Sequence, residues 1–348
     1  MNFDLDENQT LFKATVERFV ASEDVPARHR MRRMPGGFDR ARWGEMAELG
    51  LLAIAGSEAQ GGLGGSDLDC AIVAQALGKG VAVEPWLECG FLPLRLLDDA
   101  PGLIEGETIY GFAFAEAGGR YTLDARAVSA KASGSGHVLN GEKRFVLGGG
   151  IADKLIVTAS LGGETHLFLV NRVDADLRDY PVADGSLASV AMFRDAPATL
   201  LPAGMDRIVA AVEDVMLMAS AEMVGLAQRL FDETLTYVKT REQFGKPIGQ
   251  FQVIQHRMVD NYARCEELQS ALYRALLMPS SDRWASRSGL KAQVGELASL
   301  VAQDAVQFHG GMGMSDELII GHAMKRIMIL SKLFGDPAAG FAAFAEAA

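Results

Sequence analysis

Cysteine is scarce in this chain. Cys70, Cys89 and Cys265 are the only three in 348 residues, and they stand far apart. An odd number at wide spacing excludes a disulfide framework and offers no metal-binding pattern. The expectation is buried, reduced thiols in a reducing compartment, and no metal. Long apolar runs are also missing: none reaches the roughly 18 residues a membrane helix needs. The opening MNFDLDENQT is acidic and lacks the cationic and apolar regions of a secretion signal. Positive charge is in deficit, with 33 Lys and Arg against 45 Asp and Glu, a formal net charge of -12. No basic cluster stands out, so nucleic acid and anionic membrane are poor partners. Internal repeats and low-complexity segments are absent. A soluble, cytoplasmic protein is expected.

Nearly half the chain, 49%, is hydrophobic, enough for a large core and for two or three domains. Three regions differ in character. In 1–109, Leu11, Phe12, Val16, Phe19 and Val20 recur at helical spacing, and a second helix runs through Trp43, Met46, Ala47 and Leu49. Gly61, Gly62, Gly64 and Gly65 then form a flexible loop, with Ser66 or Asp67 as N-cap of the next helix. In 110–203, alternating β-branched stretches are punctuated by turns at Gly134–Gly136, Asn140–Gly141, Gly148–Gly150 and Gly162–Gly163. Asn140–Gly141 reads as a hairpin turn. In 204–348, a long amphipathic helix leads to Arg241. Others follow over about Gln252–Met278, Trp284–Gly310 and Asp316–Phe334, an up-and-down bundle. The tail FAAFAEAA carries no clear signal.

The most informative stretch is TREQFGKPIGQFQVIQ, Thr240–Gln255. Gly245 and Pro247 interrupt a helix here, giving a helix end, a turn and a new start. Arg241 brings a planar fork of donors suited to phosphate, and Phe244 and Phe251 bring flat apolar faces. Gln252 brings an amide that can pair with a heterocycle edge. Taken alone, this is equally a polar helix junction. A second motif, QFHGGMGM at Gln307–Met314, places Gly310 and Gly311 at a helix end, where a ligand can approach bare backbone. Alone, it reads more simply as a C-cap.

Together the two resemble the R-x-x-F-G-x-P-I-x-x-F-Q-x-x-Q and Q-x-x-G-G-x-G signatures of acyl-CoA dehydrogenases. ELGLLAIAGSEAQGGLGGSDLD and VLNGEKRFVLGGGIADKLIVTA resemble that family's loop and β-segment patterns, so the likeness spans essentially the whole chain. It implies a mostly α, α+β fold: an N-terminal helical domain, a middle β-barrel-like domain and a C-terminal four-helix bundle. It implies FAD as cofactor, an acyl-CoA thioester as substrate, a homodimer, homotetramer or heterotetramer as assembly, and electron-transfer flavoprotein as acceptor. By carry-over, Arg241, Phe244 and Gln252 grip the pyrophosphate region, and Gln307, Gly310 and Gly311 line the adenine end, largely of the neighbouring subunit's FAD.

The family reaction removes a proton beside the thioester, which needs a carboxylate base worth about 3–5 kcal/mol of barrier. Its two family positions fall here at Val215 and Phe334, and neither carries an acid. Asp336 is a weak substitute; Glu213, Asp214 and Glu222 are weaker still. The flavin-covering segment departs as well. Glu116 remains in AEAGGRYTLD, and Phe145 takes the stacking position, but Leu147 stands where a hydroxyl donor is expected. The resemblance therefore implies a subunit of a heteromeric acyl-CoA dehydrogenase, acting on steroid side-chain or other bulky thioesters and lending contacts to a catalytic partner's FAD. Alternatives are a self-sufficient homo-oligomer with a displaced base, or a non-enzymatic scaffold or acyl-CoA-binding protein.

Overall fold

A computed structural model describes residues 5–21, 25–277 and 281–347. The chain opens with α1 (Glu7–Val20), started by a capping box in which Asp6 accepts from the Gln9 backbone and the Gln9 side chain reaches back. Then come α2 (Val25–Met31), α3 (Arg40–Glu48), α4 (Asp67–Gly80), a π-helical turn at Trp86–Phe91 and α5 (Leu92–Leu96). Asp39 caps α3, whose Trp43 and Met46 are fully buried.

Seven strands follow: β1 (Tyr110–Ala113), β2 (Ser129–Ser133), β3 (Gly136–Leu147), β4 (Lys154–Leu161), β5 (Glu164–Asn171), β6 (Asp176–Pro181) and β7 (Leu187–Leu200). They form one sheet in the order β1-β3-β2-β4-β5-β7-β6. Additional β1–β4 and β3–β7 pairings curl it into a barrel-like form. Leu139, Val146, Leu155, Val157, Phe168 and Phe193 fill its interior.

After the sheet come α6 (Met205–Thr240), β8 (Glu242–Gln243), β9 (Lys246–Pro247), α7 (Gln252–Leu277), α8 (Arg283–His309), α9 (Ile319–Leu330) and α10 (Pro337–Glu346). The residues form two units, one of Met1–His29, Asp67–Ala82 and Met216–Ala348, the other of Arg30–Ser66 and Val83–Val215. In the first, α4 and α6 meet backbone to backbone. A Cβ on Gly78 would sit 2.1 Å from the Glu222 carbonyl oxygen, and one on Gly225 2.0 Å from that of Gln75. Only glycine permits this approach.

Several expectations need correction. Asn140–Gly141 is no hairpin turn: β3 runs straight through it, with a bulge in its register against β7. The Asn140 amide exchanges hydrogen bonds with Asp195, and Gly141, at φ 130°, passes close to the Ala127 carbonyl. The fourth bundle helix stops at Leu330, and the tail forms α10, capped by Asp336. Met278 and Pro279, at the expected end of the second bundle helix, lie outside the described residues. A short basic run does exist at 28–33, but its members are dispersed: buried Arg28 donates to the Val81 carbonyl, Arg32 to that of Asp184, and Arg30 and Arg33 face solvent. All three cysteines are buried and none is in a disulfide. No helix among the described residues is long and apolar enough to cross a membrane.

The sheet is locked by Lys143, whose side chain is fully buried. Its Nζ donates to Glu116 (2.7 Å), the Thr158 hydroxyl (2.8 Å) and the Phe114 carbonyl (3.0 Å). Burial lowers the Lys143 pKa to about 8, against the pull of Glu116. Burial also opposes the Glu116 charge, but the Lys143 hydrogen bond, its charge and backbone N–H donors outweigh that and hold the carboxyl below its usual range. Both groups are charged at neutral pH. Replacing Glu116 by Leu leaves an unpaired buried ammonium and is expected to cost about 3–5 kcal/mol. Urea unfolding checks this; a loss under about 1 kcal/mol would contradict it.

Candidate functional site

The site begins where α6 ends. The Arg241 N–H makes the last helical bond, to the Tyr237 carbonyl (2.8 Å). Pairing of Glu242 with Pro247 and Gln243 with Lys246 then forces Phe244 and Gly245 into a two-residue turn. Both have positive φ, 55° and 77°. Asn-Gly suits such a turn; a phenylalanine there is strained. Phe244 is also 91% exposed, so burial does not offset the strain. Its ring meets Phe251 edge-on at 6.2 Å, and Lys246 Nζ lies 4.3 Å from the Phe251 ring. An apolar hollow of about 400 Å3, walled by Leu235, Val238, Pro247, Ile254 and Met258, lies at the base of this turn.

The second motif closes α8. Gly310 has φ 61° and ψ -142°, a conformation open essentially to glycine alone. Nothing stands within 4 Å of where a Cβ on Gly310 or Gly311 would be, so this backbone faces open space. Two contacts bring the motifs together. Tyr237 stacks on His309 at 4.2 Å, and His309 Nδ1 lies 2.8 Å from the Ala305 carbonyl oxygen, which fixes the ring. Arg257, on the first turns of α7, lies over the Phe308 ring at 4.9 Å.

Arg241, Phe244, Gln252, Gln307, Gly310 and Gly311 are all exposed. The side chains of Arg241, Gln252 and Gln307 have no hydrogen-bond partner among the described residues. Free donors, an exposed aromatic face and bare glycine backbone suit the diphosphate and adenosine of a dinucleotide. Sequence reading missed Tyr237, His309 and Arg257, since nothing local announces contacts between residues dozens of positions apart.

The two positions where the resemblance expects a base are apolar and buried, Val215 at 1% and Phe334 at 5% exposure. The nearby acids are engaged. Asp336 accepts from the Ala339 N–H as N-cap of α10, Asp214 lies 3.5 Å from Arg95, and Glu213 is buried. Glu222 is held in a two-bond fork by Arg326, at 2.6 and 3.1 Å. The Phe334 loop is pinned by buried Lys291, whose Nζ donates to the carbonyls of Ser331 (3.1 Å) and Gly335 (2.6 Å). In the sheet, Glu116 serves the Lys143 lock. Phe145 is half-buried with φ 51°, and Leu147 is buried and offers no donor. No group of His, Cys, Asp or Glu among the described residues could hold a metal ion.

Asparagine tolerates a left-handed conformation far better than phenylalanine. Phe244→Asn is therefore expected to leave the isolated chain as stable or up to about 1 kcal/mol more stable, read from its urea midpoint; a clear loss would show that the turn needs the ring. Lys291 yields a pH prediction. Burial lowers its pKa from 10.5 to about 7, against the opposing pull of Asp336. Across that window the unfolded chain binds more protons than the folded one, so this residue makes stability rise with pH. The neutral amine keeps two N–H groups for its two carbonyls. Lys291→Met is expected to remove the rise between pH 7 and 9, and parallel wild-type and variant curves would contradict it.

Residues 6–89 match the acyl-CoA dehydrogenase N-terminal domain, and residues 203–338 the acyl-CoA dehydrogenase C-terminal domain. The acyl-CoA dehydrogenase IpdE2 of Mycolicibacterium smegmatis is 30% identical over 335 residues, covering 96% of each chain. The fold is shared with the steroid ACAD Tcur3481-Tcur3483, at TM-score 0.87, 24% identity, and 98% and 97% coverage of this chain and that one. It is shared too with an acyl-CoA dehydrogenase complexed with FAD from Bacillus anthracis, at TM-score 0.86, 21% identity, and 97% and 66% coverage. The chain belongs to the acyl-CoA dehydrogenase family, flavoprotein oxidoreductases that act on CH–CH groups with FAD as cofactor.

Proposed function

We propose that this chain is the supporting subunit of a heteromeric acyl-CoA dehydrogenase, with domains at 1–109, 110–203 and 204–348. One observation carries the reading: Arg241, Gln252 and Gln307 point their polar groups outward with no intrachain hydrogen-bond partner, while Val215 and Phe334 fill both base positions with buried apolar side chains. The chain is equipped to hold a dinucleotide presented from outside, and unequipped to take a proton from a thioester itself.

Each residue then has a separate task. Arg241 supplies two parallel N–H donors to the diphosphate, worth more than a single neutral hydrogen bond. Gln252 and Gln307 direct amides at neutral acceptors, Gly310 and Gly311 admit the ligand to the backbone, and Phe244 covers an apolar face. FAD, when bound, supplies the two-electron acceptor. The base comes from the unlike subunit, because a chain without one forgoes about 100- to 10,000-fold in rate. The steroid ACAD named above supports a bulky acyl-CoA thioester as substrate. Asp336, the strongest local substitute, is occupied as a helix cap.

The chain is to be purified alone and with a co-expressed homologue, each saturated with FAD. The expectation is one flavin per pair of unlike chains and dye reduction by acyl-CoA only in the pair. Arg241→Gln should weaken flavin binding about 10- to 100-fold, the loss of a charged hydrogen bond. Turnover by the lone chain at ordinary enzyme rates overturns the proposal.

A further inference from the structure

The seam between α7 and α8 holds an unbalanced charge. Arg257 and Arg264, both on α7, converge on one carboxylate, Asp304 of α8. Arg264 donates to one Asp304 oxygen (3.1 Å) and to the Asn261 side-chain oxygen (2.7 Å), while Arg257 donates to the other Asp304 oxygen, so the carboxylate keeps one charged partner without Arg257. Asn261 is 2% exposed, and the Asp304 side chain 13%. The fold needs one cation here and has two. Asp260, on the same helix, faces solvent and forms no ion pair with either arginine among the described residues.

The spare guanidinium is not loose. Phe308 supports its face at 4.9 Å while Asp304 holds one edge, and its side chain remains 40% exposed. Phe308 directly follows Gln307 and precedes the stacked His309 and the glycine pair. A planar cation is thus pre-oriented over Phe308, two residues before the open backbone at Gly310, in a chain whose net charge is -12. Such a group suits an anion with planar, paired acceptors.

We infer that Arg257 is a second phosphate-binding arginine of the dinucleotide surface, held in place by Phe308 and Asp304 and acting with Arg241 on the diphosphate of FAD. This rests on the proposed function above. Arg241 arrives from the hairpin side and Arg257 from the helix seam, so the two are independent contributors of positive charge.

FAD affinity is to be measured by flavin fluorescence on the assembled two-chain complex, in low and high salt. The unfolding midpoint of each flavin-free chain serves as control. Arg257→Gln is expected to raise the Kd for FAD about 10-fold in low salt, as for one charge-assisted hydrogen bond. The deficit should shrink in high salt, where charge is screened, and the flavin-free midpoint should not move because Arg264 keeps Asp304 paired. Arg257→Lys should recover part of the loss. Should Arg257→Gln bind FAD like wild type while Arg241→Gln binds poorly, the inference fails and the proposed function stands. If neither substitution weakens binding, the dinucleotide surface itself is misassigned and both fail. A salt-independent loss, equal in the Lys variant and matched by a lower midpoint, would make Arg257 a packing residue and overturn the inference.

Discussion

One ring contact organises the proposed cofactor surface. Tyr237 sits on the last turn of α6 and His309 on the last turn of α8, and they stack at 4.2 Å. The two motifs lie some seventy residues apart in sequence, and each is only a helix end in isolation. The stack brings those ends to one place. His309 sits 2.8 Å from the Ala305 carbonyl oxygen, so its ring is fixed before it meets Tyr237. The Arg241 N–H is bonded to the Tyr237 carbonyl, and Gly310 follows His309 directly. Any shift of this pair therefore displaces both halves of the surface at once, and small misplacements at a binding site are costly.

Around that contact, the exposed side chains do little for the lone chain. Phe244 carries backbone strain without burial, and the Arg241, Gln252 and Gln307 side chains have no intrachain hydrogen bonds. On the proposed reading, the compensating interaction lies outside this chain. The interior shows the opposite economy. Lys143 and Glu222 are buried yet paired, with half-buried Glu116 and Arg326 respectively, as the cost of an isolated buried charge requires.

The sequence was most readable where structure is local. Gly162–Gly163 marks the turn between β4 and β5, and the break at Gly245–Pro247 separates two helices as expected. It misled where a distant partner decides. Asn140–Gly141 has the composition of a turn, but Asp195, 55 residues away, captures the Asn140 amide and keeps the strand running. Asp336–Pro337 is a helix start with acid cap and proline in the first turn, a local signal overlooked in favour of a featureless tail. The family motifs singled out Arg241 and Gln307 as candidates; the stack, the charged seam and the Lys291 pin depend on three-dimensional neighbours that no spacing rule supplies.

Apolar residues at the two expected base positions are also a matter of energetics. Val215 and Phe334 are almost fully enclosed. A carboxylate at such a place is expensive to bury unless it is paired, and a well-packed apolar side chain is often the more stable choice. Lys291 pins the Phe334 loop through two backbone carbonyls, and Asp336 caps the following helix, so the loop keeps its shape without any acid at its tip. Geometry and proton chemistry are therefore separable in this fold. A chain relieved of the second can hold the first with greater stability, provided an unlike subunit performs the proton transfer. In the proposed heteromer, the outward residues, which the lone chain does not need, and the inward apolar ones follow from one division of labour.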